Sequence, residues 1–180
     1  MKRITFLLAA VFCTASLFAQ TSRLPDIREI TSVENENTGE TVAVVNIPVD
    51  SISHYWLHLG NMGIGNKTVQ INLDPVYNLY IPLGGSVAEA VATMEELKTL
   101  LKEPKGTRRD IQGSFKPFFP SEQLETIQVY KFKLIVENKL QFVLERDGYE
   151  RVAYLAQSEF NSLLRGLKLY GKIHPSQDLK

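Results

Sequence analysis

The chain has 180 residues, with twenty Lys and Arg, twenty Asp and Glu, one Cys, one Trp and 44% hydrophobic side chains. A formal charge of zero supplies no global field to draw nucleic acid or an anionic membrane, and the apolar fraction suits a globular protein with one core. One cysteine excludes an internal disulfide and a thiolate metal site.

Residues 1–19 read as a secretory signal. Lys2 and Arg3 precede an apolar run from Ile4 to Phe12, and small residues then lead to Leu17-Phe18-Ala19, with cleavage expected after Ala19. The run is shorter than the ~20 residues of a membrane span, and no second apolar segment of that length follows. The segment resembles the signals of exported Bacteroidetes proteins, with Ala19-Gln20 at the junction. This implies a periplasmic or extracellular protein. Cleavage would remove Lys2, Arg3 and Cys13, leaving eighteen basic against twenty acidic residues.

Residues 20–40 form a polar arm with a turn at Asn35–Gly39, and Ile27–Glu34 reads as a first strand or a loose arm. Thr41–Val49 is apolar on both faces, which predicts a strand at the centre of a sheet. Ser53–Leu59 alternates, with Tyr55, Leu57 and Leu59 on one face and His54, Trp56 and His58 on the other. On a helix, the His54-x-x-x-His58 spacing would gather two metal ligands. On a strand it separates them by about 13 Å at ~3.3 Å per residue, too far for one ion. Two readings of this face remain: an exposed aromatic platform centred on Trp56, or a face covered by another element.

Gly60–Thr68 has the look of a phosphate-binding loop, but Asn66 separates Gly65 from Lys67 and a strand, not a helix, follows. A flexible glycine-rich hairpin loop is the expectation. Its polar side chains Asn61 and Asn66 join His54, Trp56 and His58 as the candidate ligand-binding residues. Asn66-Lys67-Thr68 is an N-glycosylation sequon, and Asp50-Ser51-Ile52 resembles the short O-glycosylation motif of exported Bacteroidetes proteins.

Val69–Leu73 and Tyr77–Ile81 alternate as two strands around Asp74-Pro75. Ser86-x-x-Glu89 is a capping box, and Val87, Val91, Met94, Leu97 and Leu101 form the stripe of the helix it opens. Residues 103–124 read as a linker broken by Pro and Gly. It is locally basic through Lys102, Lys105, Arg108, Arg109 and Lys116, which suits either a site for phosphate or an acidic partner or, more commonly, a solvated crossover, and Ser114–Phe118 is a candidate edge strand. Glu125–Asn138 is the longest strand. Its apolar phase shifts between Val129 and Tyr130, which predicts a β-bulge, with Lys131 and Lys133 in solvent. After a turn at Asn138-Lys139 come a strand from Leu140 to Glu145, a turn at Asp147-Gly148 and a strand from Arg151 to Leu155. A helix follows, capped by Ser158, striped by Phe160, Leu163, Leu164 and Leu167, and stopped at Gly171.

The expected fold is therefore α+β: antiparallel sheets with two amphipathic helices, and two β-meander–helix units in residues 41–102 and 125–171 that either reflect a pseudo-twofold duplication or the general frequency of hairpin–helix units. At the level of topology, Val69–Leu101 with Leu79-Tyr80-Ile81-Pro82, and Val152–Leu167, resemble the paired ββββα repeats of PUR-alpha and Whirly proteins. That resemblance implies single-stranded nucleic-acid binding on basic, aromatic-bearing sheets, which the export signal and the neutral charge oppose. No functional residue carries over from it.

Enzyme readings have little support. Gly84-Gly85-Ser86 is a helix cap and lacks a Gly-x-Ser-x-Gly elbow, and His54, His58 and His174 have no evident partners in sequence. The expectation is an exported, non-catalytic protein that binds a protein, peptide or glycan, with no cofactor, no metal and no catalytic residue. The alternatives are a nucleic-acid-binding protein and a small secreted hydrolase whose carboxylate pair is spatial rather than sequential.

Overall fold

The structure, a computed structural model, describes residues 26–36, 38–49, 51–61, 63–64, 78–115, 124–133, 137–146 and 148–175. The elements are β1 (Arg28–Glu34), β2 (Thr41–Asn46), β3 (Tyr55–Asn61), β4 (Gly63–Ile64), β5 (Asn78–Gly84), α1 (Val87–Leu100), β6 (Arg108–Gly113), β7 (Glu125–Lys133), β8 (Asn138–Arg146), β9 (Tyr149–Ala156) and α2 (Gln157–Ile173). One sheet has the order β1-β2-β3-β5 and the other β4-β9-β8-β7-β6, with every pairing antiparallel. The α+β class and antiparallel sheets are as expected. If β3 and β4 count as one interrupted strand, each half is a meander followed by a helix.

Two junctions tie the sheets together. β4 leaves the end of β3 and pairs with β9, while Tyr80 on β5 and Ser114 after β6 exchange backbone hydrogen bonds of 2.8 Å in both directions. The glycine-rich stretch is therefore strand on both sides at residues 60–61 and 63–64, not a plain hairpin loop. Gly60 has φ +72, and a Cβ there would lie 2.7 Å from a Glu40 carboxylate oxygen, so this crossing point needs glycine. The expected strand at Val69–Leu73, Asn66 and its sequon, and the second half of the candidate strand Ser114–Phe118 lie outside the described residues.

A single core joins both halves. Val42, Leu57 and Ile81 of the first sheet, Ile127, Phe142 and Leu155 of the second, Met94 and Leu97 of α1, and Phe160 and Leu164 of α2 belong to one buried cluster. Burying each of these side chains stabilises the fold by roughly 1.5–3 kcal/mol. α2, from the second half, packs chiefly on β1 of the first half and on α1. β2 lies between β1 and β3 with Val42 to Asn46 all buried, so its two apolar faces reflect the central position.

Several local expectations are corrected. β3 starts at Tyr55, leaving His54 outside it, and β2 stops at Asn46. The supposed linker contains β6, placed earlier than the expected edge strand. β7 pairs without a register shift on either side, and Ile127, Val129 and Lys131 all face the core, so there is no bulge at Val129. Lys131 is consequently buried at 4% exposure, not solvated. Asn138 and Lys139 belong to β8, and β9 is longer than expected at both ends. Ser86 Oγ accepts from Glu89 N as a cap should, but the Glu89 carboxylate returns to Gly85 N (2.7 Å), one residue before the cap. α1 buries Ala90 and Leu100 alongside Val87, Met94 and Leu97, while Val91 is only half-buried.

Ser158 is not the cap of α2. That position is Ala156, and Ser158 instead donates its backbone N–H (3.0 Å) and hydroxyl (2.7 Å) to Glu137, whose carboxyl is thereby held below the ordinary glutamate value. The helix also runs past Gly171 to Ile173.

Candidate anion-binding site

The loop that follows α1 is held against β7 by two backbone hydrogen bonds, Gly106 N to Lys131 O and Lys131 N to Thr107 O, each 2.9 Å. This clamp places the C-terminal turn of α1 and its loop beside the end of β7. Lys133 pairs in register with Asn138 at the start of β8, and Asn138 Nδ2 donates to Gln157 Oε1 (2.9 Å) at the start of α2. Between these elements lies a cavity of about 420 Å³ lined, among the described residues, by Lys98, Lys102, Lys105, Lys131 and Lys133, with Glu103 as the one carboxylate and Asn138 and Gln157 as amides.

Some of this charge has a structural reason. The last turn of a helix presents unpaired carbonyls and the negative end of its dipole, which favours cations such as Lys98. Lys131 Nζ donates to the carbonyl of Leu101, the C-cap of α1. Lys102, Lys105 and Lys133 are exposed. Burial, and after it the Lys133 ammonium, lower the pKa of Lys131. An anion seated among these ammonium groups would offset that repulsion and gain charge-assisted hydrogen bonds.

The residues singled out from sequence occupy a different face. Trp56 and His58 do point the same way from β3, in cross-strand rows with Val45 and Pro82, and with Ala43 and Tyr80. Trp56 is half-buried against a small apolar cluster of Ala43, Val45, Ile47 and Tyr80. Its Nε1 is buried without a hydrogen-bond partner. The His58 ring stacks on Tyr80 at 4.6 Å and 16°, and its Nε2 is 3.2 Å from Asn78 Oδ1. His54 is half-buried before the strand, with its carbonyl accepting from Ile47 N. Asn61 pairs with Asn78 in register at the end of β3. Trp56, His58 and Asn61 thus share one strand, His54 only flanks it, and Asn66 lies outside the described residues. Among the described residues no three His, Cys, Asp or Glu side chains are grouped as a metal site needs.

Desolvation lowers the pKa of His58 below 6.5, opposed by the Asn78 hydrogen bond and by Glu40. Between the folded value and 6.5 the unfolded chain takes up a proton that the folded chain refuses, so stability falls as pH drops through that window and levels off below it. Replacing His58 with Phe, which keeps a ring to stack on Tyr80, should flatten this acid-side loss. Urea midpoints measured on both sides of pH 6.5 check it, and an unchanged pH profile would rule out His58 as the source.

Sequence reasoning missed the lysine cavity for one reason. It placed Lys131 and Lys133 in solvent and the lysines after α1 in a linker, so nothing brought the two groups together. The visible signal was the cluster Lys98, Lys102 and Lys105 at a helix end followed by a paired Lys131-x-Lys133. No protein-family model, curated protein or solved structure matches this chain.

Proposed function

We propose that this chain is an exported, non-catalytic binding protein whose lysine-lined cavity takes an anionic ligand. The observation that carries this reading is the convergence of Lys98, Lys102, Lys105, Lys131 and Lys133 on one cavity with a single carboxylate among its described lining residues, in a chain of zero formal charge. The signal-like residues 1–19 support export, and no described helix is long and apolar enough to cross a membrane. Glu159 is the one carboxylate buried among the described residues, and both its oxygens accept backbone N–H groups. It is therefore not poised for acid–base work.

Calorimetric titration with inorganic sulfate and with phosphate, at low and high salt, tests the reading. Binding should weaken with salt and fall on the order of 10-fold, about 1.4 kcal/mol, in the variant Lys102→Gln/Lys105→Gln/Lys133→Gln. All three are exposed, so the fold should survive. Equal affinity in the variant, or no binding by the parent, would discard the site.

The second reading, single-stranded nucleic acid, is favoured by one observation. Phe132 and Tyr154 lie 5.9 Å apart on the face of the second sheet turned from the core, and Lys105 Nζ is 5.9 Å from the Phe132 ring. A gel shift with single-stranded oligonucleotides at two salt concentrations, lost on Phe132→Ala, would replace the first reading with this one.

A further inference from the structure

We infer that the outer side of α2 is a docking face, along which the protein lies against an anionic phospholipid bilayer. This face is separate from the lysine-lined cavity proposed above, and their described lining residues share only Lys98.

α2 buries Phe160, Leu163, Leu164 and Leu167, so its opposite side faces outward. On that side Arg165, Leu169 and Ile173 follow one another at four-residue spacing, which places them in one row along the helix. Lys168 and Lys172 make the adjacent row. Leu169 is 56% exposed and Ile173 63%. Single exposed aliphatic side chains are ordinary, but here two stand one turn apart among three cations. Toward α1 the same side borders a depression of about 680 Å³, where Lys98, Arg165, Lys168 and Lys172 meet Leu164 and Leu169. No carboxylate is among its described lining residues. Of the neighbouring carboxylates, Glu95 pairs with Lys168, and Glu137 accepts from Ser158 at the other end of α2. The attraction is therefore argued from Lys98, Arg165 and Lys172. The chain has zero formal charge, so this attraction is local to the patch and not a field of the whole molecule.

The pairing of charge with aliphatic side chains selects the partner. Sulfate, phosphate or a nucleic-acid backbone could answer the cations, but would leave Leu169 and Ile173 in water. A bilayer answers both: its phosphates meet the cations, and the aliphatic side chains enter the boundary between headgroups and acyl chains. The rows run along the helix axis, so α2 would lie flat on the surface. Its main apolar stripe is already committed to the core, which leaves shallow insertion that needs the charge as well. An acidic amphipathic peptide combines the same two chemistries, but such peptides seat their apolar anchors in a groove. Here Ile173 lies on the outward row and is not among the residues lining the depression.

Co-sedimentation with vesicles tests the face, using phosphatidylcholine alone and equal parts phosphatidylcholine and phosphatidylglycerol. The protein beginning at Gln20 is used, so the apolar run Ile4–Phe12 cannot itself bind lipid; its removal takes away no described element. Binding should require phosphatidylglycerol and weaken with salt. Arg165→Gln/Lys172→Gln and Leu169→Asn/Ile173→Asn should each lower it on the order of 10-fold, and both should leave inorganic sulfate binding unchanged. Equal binding by the Leu169/Ile173 variant, or equal binding to neutral vesicles, overturns the inference. So does a Glu- and Leu-rich helical peptide that binds the parent more tightly than the vesicles and displaces them, which reassigns the face to a protein partner. Sulfate binding without vesicle binding removes the docking face and leaves the lysine cavity standing. Vesicle binding without sulfate binding does the reverse.

Discussion

Glu159→Ala should cost roughly 2–4 kcal/mol of stability, because it leaves two backbone donors without an acceptor. Glu159 is 4% exposed, and its two oxygens accept from Ala156 N and from Glu36 N, each at 2.7 Å. The first bond satisfies an N–H at the start of α2. The second reaches a residue 123 positions earlier in the chain and fixes the β1–β2 loop against the helix. Asn35 beside it donates its side-chain amide to Tyr154 O at 2.7 Å, so the loop is anchored twice at one spot. The buried Ala156 N–H, once orphaned, costs about 1–3 kcal/mol, the Glu36 N–H costs less because water can reach it, and loss of the negative charge from the first turn adds about 0.3–1 kcal/mol. Glu159→Gln keeps one acceptor oxygen and the side-chain volume, and should fall between parent and Ala variant. Urea denaturation checks the order, with an unchanged m-value required. Hydrogen exchange should show the amide of Glu36 opening before the rest of the core. An Ala variant as stable as the Gln variant would mean that the carboxylate does not hold this junction.

This junction also shows where sequence reading stops. Glu159 was visible only as an acidic residue at a helix start, because its second partner is set by tertiary packing. The elements themselves were legible where periodicity was strong. Phe160, Leu163, Leu164 and Leu167 are all buried on α2, and Ser86 caps α1. β6 was not legible, since Arg108 to Gly113 carries one aliphatic side chain, Ile111, and owes its strand conformation to pairing with β7. Lys131 misled for a related reason. A lysine between Val129 and Lys133 suggests a solvent face, yet strict alternation with Ile127 and Val129 turns it inward, where the Leu101 carbonyl receives it. The bulge inferred at Val129 came from counting Tyr130 and Phe132 as core, although both are half-buried on the opposite face. The candidate site was illegible on the same grounds. Its lysines come from α1, the loop after it and β7, and the Gly106–Lys131 and Lys131–Thr107 backbone bonds, with the bond from Lys131 Nζ to the Leu101 carbonyl, make them neighbours.

Gly166→Ala tests the contact that locks the two halves together, and its sign separates packing from propensity. In an open helix interior this change should stabilise by about 1 kcal/mol, because Ala is the better helix former. Here a Cβ on residue 166 would sit 2.2 Å from Thr31 Oγ1 and 2.7 Å from Thr31 Cβ. Rotating the threonine moves its hydroxyl but not its Cβ, which is fixed to the backbone of β1. α2 must therefore withdraw from β1, the element it packs against most heavily, or the strand must bend. Overpacking of this kind typically costs about 1–3 kcal/mol, so the net change should be a loss despite the gain in propensity. Thr31→Ala removes the nearer atom and leaves the Cβ clash, so the double variant should recover part of the loss and show positive coupling in a double-mutant cycle. Chemical denaturation of the four proteins reads this directly. A Gly166→Ala variant more stable than the parent would show that β1 and α2 do not approach this closely, and that the crossing of the second helix onto the first sheet is looser than the structure describes.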